Sequence, residues 1–269
     1  MSYTVSVQSV RSQDFGYSVP LAETRIATAR LTSLIEGCMR GTQIRINNHG
    51  PRHGNSWLVA NDSFLRLSSC LGGEEAHFTP PEVAINAPIR VRVRMLYYMN
   101  DVNLQLIDVG TEGRSFKLTF QFEDVGTELK GHCIKEELIG GGWKDCPVGT
   151  DKGAPDVQIQ GMRVHVLLEP TAYLGGITFG RVQVRFEGSI QAGGICNVHG
   201  IDICDRLGHY KREVQQQIEQ AFSNLINRGS ARPAVARVFR EILDARAIGE
   251  VRSARIEGDN FVITHSPRR

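Results

Sequence analysis

Six cysteines and a handful of histidines carry the most reactive side chains in this sequence. His132, Cys133, Cys146, Cys196, His199 and Cys204 form the one group whose types suit tetrahedral zinc, because thiolate and neutral imidazole both ligate it. Zinc knuckles pair cysteines separated by about two to four residues. Here Cys196-x-x-His199 is the only close pair, and it has no second half, so the spacing argues against a metal. Thiols or disulfides remain. Cys133 with Cys146 and Cys196 with Cys204 are local pairs, each enclosing a glycine-containing loop, and Cys38 and Cys70 complete the even set. Bridges belong to oxidising compartments and thiols to reducing ones. The chain opens without a basic segment followed by an apolar stretch, so a cytoplasmic location with free thiols is expected unless a leader has been removed.

Other catalytic chemistry finds little support. The sequence has no G-x-S-x-G elbow, no G-x-x-x-x-G-K-[ST] phosphate loop, no G-x-G-x-x-G after a strand and no H-E-x-x-H. His49 and His53 flank a Gly/Pro turn and read as solvated loop residues. The expectation is a non-enzymatic protein without a cofactor.

The segment with the strongest pattern is Ile89 to Met95, where Ile89, Val91, Val93 and Met95 alternate with Arg90, Arg92 and Arg94. A period of two puts the apolar set on one face of a strand and the arginines on the other. Such a strand belongs to a mostly antiparallel sheet covered on one side only. The arginines read as a solvated face paired with Asp108 and Glu123 of the neighbouring hairpin; an anion or headgroup contact is the sharper alternative. Asn61-Asp62-Ser63 is a glycosylation sequon, relevant only in a secreted eukaryotic protein.

The remaining elements must position that sheet. Tyr3 to Val7 reads as a short strand, and Val19-Pro20 opens a helix, since proline is tolerated in a first turn. Leu21 to Glu36 continues it, with Ala27, Leu31, Leu34 and Ile35 on one side and Gly37 as the stop. From Thr42 to Phe122 the period is two, with Pro80-Pro81 and Pro88 restricting pairing to an edge. A hairpin joins Val102, Leu104 and Leu106 to Phe116, Leu118, Phe120 and Phe122 through Gly110 to Gly113. Residues Gly131 to Pro155 read as a long loop. Strands resume from Val157 to Leu168, with a bulge at Gly161, and again from Ile177 to Phe186, for a total of roughly eight to ten. His209 to Arg228 is an amphipathic helix with Tyr210, Val214, Ile218, Phe222, Leu225 and Ile226 in one stripe. A third helix starts near Pro233, and Arg255 to Thr264 closes the chain as a hairpin.

Composition sets the bounds. At 269 residues, 41% hydrophobic and 22% charged, the chain is long enough for one sizeable core. A net charge of +2 with scattered arginines leaves no footprint for nucleic acid. The longest apolar runs fall far short of the roughly 20 residues of a membrane-spanning helix. The expected organisation is one domain over 1–269, with residues 230–269 as a possible helix-plus-hairpin appendage, in the α+β class.

Eight or more one-sided strands offer more apolar surface than two or three helices cover. An incompletely covered sheet leaves an elongated groove of the kind that binds ligands. Its candidate lining is Ile26, Leu31, Met95, Phe116, Phe120, Phe179, Phe186, Val214, Ile218 and Phe222. The order of elements, an amphipathic helix from Pro20 to Glu36, long antiparallel strands, then the helix from His209 to Arg228, resembles the TULIP superfamily of tubular lipid-binding proteins. The resemblance implies a strongly curved, mostly antiparallel sheet wrapped around amphipathic helices, holding a lipid or other elongated hydrophobic ligand. The alternative is a structural or assembly protein making protein contacts through its sheet edges and arginine face, possibly as a homo-oligomer.

Overall fold

The computed structural model describes residues 5–11, 18–47, 52–53, 56–57, 61–80, 83–87, 93–99, 102–122, 128–136, 142–146, 157–191, 197–198, 201–227 and 231–267. Its class is α+β, an antiparallel sheet curled around helices.

The strands are β1 (Val5–Arg11), β2 (Ser18–Ala27), β3 (Gln43–Ile46), β4 (Phe64–Arg66), β5 (Glu75–His77), β6 (Val83–Ala87), β7 (Val93–Tyr98) and β8 (Val102–Glu112). They continue as β9 (Ser115–Phe122), β10 (Glu128–Glu136), β11 (Trp143–Asp145), β12 (Val157–Tyr173), β13 (Gly176–Gln191), β14 (Ile248–Glu257) and β15 (Asn260–Pro267). The helices are α1 (Thr28–Met39), α2 (Ile203–Asn227) and α3 (Ala231–Ala245). Two further two-residue ladders pair Arg52–His53 with Ser56–Trp57 and Asn197–Val198 with Ile201–Asp202.

The large sheet has eleven strands in the order β5-β4-β3-β8-β9-β12-β10-β7-β6, with β11 added to β10 and β13 to β12. Its spine is the long β12–β13 hairpin, whose register shifts between Gln160 and Arg163, where Gly161 was expected to bulge. A smaller sheet runs β1-β2-β15-β14. Phe116, Leu118 and Phe120 of β9 and Val164, Val166 and Leu168 of β12 seal one face; at the centre of the sheet Thr119, His165 and Leu167 are buried on the opposite face as well, and β14 contacts β12. α2 packs on β13 and reaches β4, β5 and β6, so it lies across the opening of the curl.

Several sequence expectations are corrected. The stretch from Ser18 to Ala27 is a strand, and the helix begins only at Thr28. Ala22, Thr24 and Ile26 are buried while Arg25 and Ala27 are exposed, a period of two that β-branched Thr24 and Ile26 favour. Gly37 does not end the helix, which runs on to Met39. The strand Glu128–Glu136 runs into the segment read as a long loop from Gly131 to Pro155, and there pairs with Trp143–Asp145. The 110–122 hairpin exists, but its turn is the two-residue Gly113-Arg114, with Glu112 opposite Ser115. β7 pairs with β6 and β10, so neither Asp108 on β8 nor the hairpin it belongs to borders Arg94. Ile89 to Arg92 and Glu123 lie outside the described residues.

Residues 231–267 share the main core. Phe239 of α3 lies 6.4 Å from Phe116 and 5.9 Å from Phe261 of β15. Phe239 is fully enclosed, so Phe239→Ala is expected to cost about 3–5 kcal/mol, because the removed ring leaves a cavity that strands on three sides cannot collapse into. Urea unfolding followed by circular dichroism measures this; a loss under about 1 kcal/mol contradicts the enclosed packing.

Candidate functional site

The ten residues expected to line a groove converge on the interior. Ile26, Leu31, Met95, Phe116, Phe120, Phe179, Val214, Ile218 and Phe222 all belong to one buried apolar cluster, and Phe186 is half-buried against it. The helix spacing of Val214, Ile218 and Phe222 aims them at the sheet, where Phe120 meets Phe222 at 6.1 Å. Phe116 meets Phe179 edge-on at 6.1 Å, the offset geometry that ring quadrupoles prefer.

Two rings the site reading left out complete this stack. Phe239 contacts Phe179 at 5.7 Å, and Phe261 contacts Phe116 at 6.0 Å. The helical stripe containing Phe239 was visible in the sequence; the long-range contact was not. Beside the stack a pocket lined by Ile35, Met39, Phe179 and Val235 encloses about 10 Å³, no more than one water fills.

The cysteine chemistry is settled for two pairs, and the thiol expectation is corrected for them. Cys38 is bonded to Cys70, and Cys133 to Cys146. The first ties α1 to the turn after β4; the second ties β10 to the end of β11, beside the backbone bond from Cys146 N to Cys133 O at 3.1 Å. Cys196, His199 and His49 fall outside the described residues, as do the side chains of Cys204 and His53. Among the described residues no group of three His, Cys, Asp or Glu is placed to hold a metal ion. His132 instead faces Asp145, with Nε2 3.1 Å from Oδ1, across the β10–β11 pair.

The arrangement most like catalytic machinery was invisible in the sequence. His165 on β12 lies between Thr119 on β9, with Nδ1 3.1 Å from Oγ1, and Glu187 on β13, with Nε2 2.7 Å from Oε2. Three adjacent strands supply these residues, so their separation in sequence hides them. A histidine between a hydroxyl and a carboxylate is the grammar of an activated nucleophile. Thr119 is only 5% exposed in the sheet, however, and neither the interior pocket nor the surface cleft at the β12–β13 turn includes any of the three residues. The trio is consistent with a cross-strand polar tie, since it satisfies a buried hydroxyl and a buried imidazole.

A surface cleft of about 590 Å³ lies where the β12–β13 turn meets α3 and the start of β14. Its walls include Tyr173, Leu174, Arg237, Arg240, Leu243 and Ile248.

Elsewhere on the surface, ion pairs run within a strand and across each sheet. Arg255 bonds Glu257 at 2.6 Å and Glu23 at 3.2 Å, which raises its own pKa, and the Arg255 hydrogen bond holds the Glu257 carboxyl below its usual value. Arg185 and Lys117 bracket Glu112 and lower its pKa, the Arg185 hydrogen bond contributing most.

No protein-family description, curated protein or solved structure matches this chain. Among the described residues no helix is long and apolar enough to cross a membrane.

The hydrogen bond from His165 holds the Glu187 carboxyl below its ordinary value. A carboxylate depressed in the folded state contributes stability that is present above the unfolded value and lost as pH falls through the folded one. Carbon-detected NMR titration is expected to place the Glu187 midpoint below that of the exposed glutamates and to return it upward in His165→Gln; an unmoved midpoint removes the pair.

Proposed function

We propose that this chain is a non-enzymatic binding protein that holds a lipid or another elongated hydrophobic ligand between α2 and the concave face of the sheet. The observation that carries this reading is the position of α2 across the opening of a curled sheet, with its apolar stripe facing inward. The same order of elements motivates the proposed relationship to the tubular lipid-binding superfamily.

The interior is closed by side chains, so on this reading the ligand replaces contacts made by α2. The magnitudes permit that exchange. Val214, Ile218, Phe222, Leu225 and Ile226 are buried, and at about 1.5–3 kcal/mol each they contribute roughly 10 kcal/mol. An acyl chain of about fifteen carbons, at about 0.8 kcal/mol per methylene, contributes a similar sum. The polar hold on the helix that would have to be released includes Glu219, whose Oε2 accepts the Val184 N–H at 2.8 Å.

A second reading, an assembly protein making protein contacts through sheet edges and its arginine face, is favoured by a different observation. The phenylalanine rings are in mutual contact, Phe179 with Phe116 and Phe239, and Phe239 with Phe261, so side chains fill that part of the core.

Organic extraction of the purified protein and titration with a fluorescent fatty acid separate the two. Copurified lipid and saturable fluorescence, with displacement by unlabelled palmitate, are expected; a lipid-free protein without saturable binding overturns the proposal. Light scattering behind size exclusion tests the second reading, which expects a defined oligomer and fails on a monomer at all concentrations.

A further inference from the structure

The cleft at the β12–β13 turn presents a local cost that nothing inside the fold repays. The hairpin turns on Leu174 and Gly175, with φ of 47° and 75°, and Tyr173 opposite Gly176. Both central residues at positive φ make this the two-residue turn that asparagine, aspartate or glycine ordinarily opens. Leucine takes the first position instead, in the left-handed region that its Cβ disfavours, and its side chain is 88% exposed. Neither backbone preference nor burial accounts for it, and a held outlier of this kind points to function.

The tip is seated on β14. Gly175 O accepts the Val251 N–H at 2.9 Å, and a Cβ at Gly175 would stand 2.9 Å from Glu250 Cγ. Leu174 is thus presented at a fixed place on the rim.

Opposite stand Arg237 and Arg240. Three apart on α3, they share one side of the helix, and both line the cleft. Neither has an ion pair among the described residues. The carboxylates in the walls are Asp244 and Glu250, and Glu250 is already engaged by Arg252 at 2.9 Å. At the rim a further guanidinium, Arg232, lies 3.6 Å above the Tyr173 ring, with its Nε buried and without a hydrogen-bond partner. Leu243 and Ile248, both nearly buried, supply apolar wall. A volume of about 590 Å³ suits a ligand of modest size.

We propose that this cleft binds a small amphiphilic anion, a phosphate or carboxylate group joined to an apolar chain. Arg237 and Arg240 take the anionic group, since guanidinium donors match its oxygens, and Leu174, Leu243 and Ile248 take the chain. The site is separate from the interior and stands without the lipid reading above.

Isothermal titration with n-octyl phosphate below its micelle concentration tests it, with inorganic phosphate and 1-octanol as the separate halves. Saturable binding at least tenfold tighter than either half is expected. Arg237→Ala/Arg240→Ala should weaken it at least tenfold with the thermal transition unchanged, since both side chains are exposed. Leu174→Ser should weaken it severalfold. Absent binding, binding no tighter than octanol, or full affinity in the double variant overturns the proposal. Sedimentation with phosphatidylcholine vesicles containing phosphatidic acid assigns the source: arginine-dependent cosedimentation places the anion in a bilayer, and octyl phosphate binding without cosedimentation places it in solution.

Discussion

The fold depends on a mismatch of area. A large antiparallel sheet that is apolar on one face must bury that face, and three helices are narrow covers for eleven strands. Curling resolves the geometry, because a concave face shrinks the opening until α2 can lie across it. What remains between the walls is filled by rings, the bulkiest apolar volume per side chain. Phe116 is the junction: it touches Phe179 of the adjacent hairpin, Phe239 of α3 and Phe261 of the small sheet at 6.0–6.4 Å. One side chain therefore links both sheets and a helix. Any process that opens the interior has to part contacts that hold the whole chain together, which makes opening a cooperative event and ties binding to stability.

Much of this was legible locally. Alternation in Phe116 to Phe122, the glycine phase change at Gly161 and the stripe from Val214 to Ile226 each report an element directly, because period and burial are properties of neighbouring residues. What failed were places where local signals conflicted. Pro20 and the apolar spacing beyond Ala27 suggested a helix from the start, yet β15 pairs with Ala22–Ala27, with Ala22 opposite His265 and Ala27 opposite Asn260, and β1 pairs with Ser18–Thr24. Tertiary pairing overrode the proline. The strands around Cys133 and Cys146 were obscured by glycines and lysines; pairing of β10 with β7 and β11, burial of Cys133 and Ile134, and the Cys133–Cys146 bridge hold them together.

The sites were less legible than the fold, for a physical reason. A groove lining is inferred from which face is apolar, and that inference located the interior without showing whether it is open. Thr119, His165 and Glu187 come together through the registers of β9, β12 and β13, with Thr119 directly opposite His165. No spacing encodes that. The cleft arginines are similar: Arg237 and Arg240 look like the solvated side of an amphipathic helix, and only the placement of the β12–β13 turn makes them a wall.

The two candidate sites also differ in what occupancy demands. The interior offers non-directional apolar contact, and a ligand there competes with side chains already in place, so affinity is bounded by the difference between two similar burials. The cleft lies at the surface and its arginines have no ion pair among the described residues, so an anion there displaces water instead of protein. Preorganisation favours the second arrangement: the tip is fixed by the Gly175–Val251 bond, the helix that carries both arginines is anchored by Phe239 in the core, and no buried contact has to break. A packed ring stack can thus support a binding surface beside it, because the rigidity that fills the interior is what holds the cleft in shape.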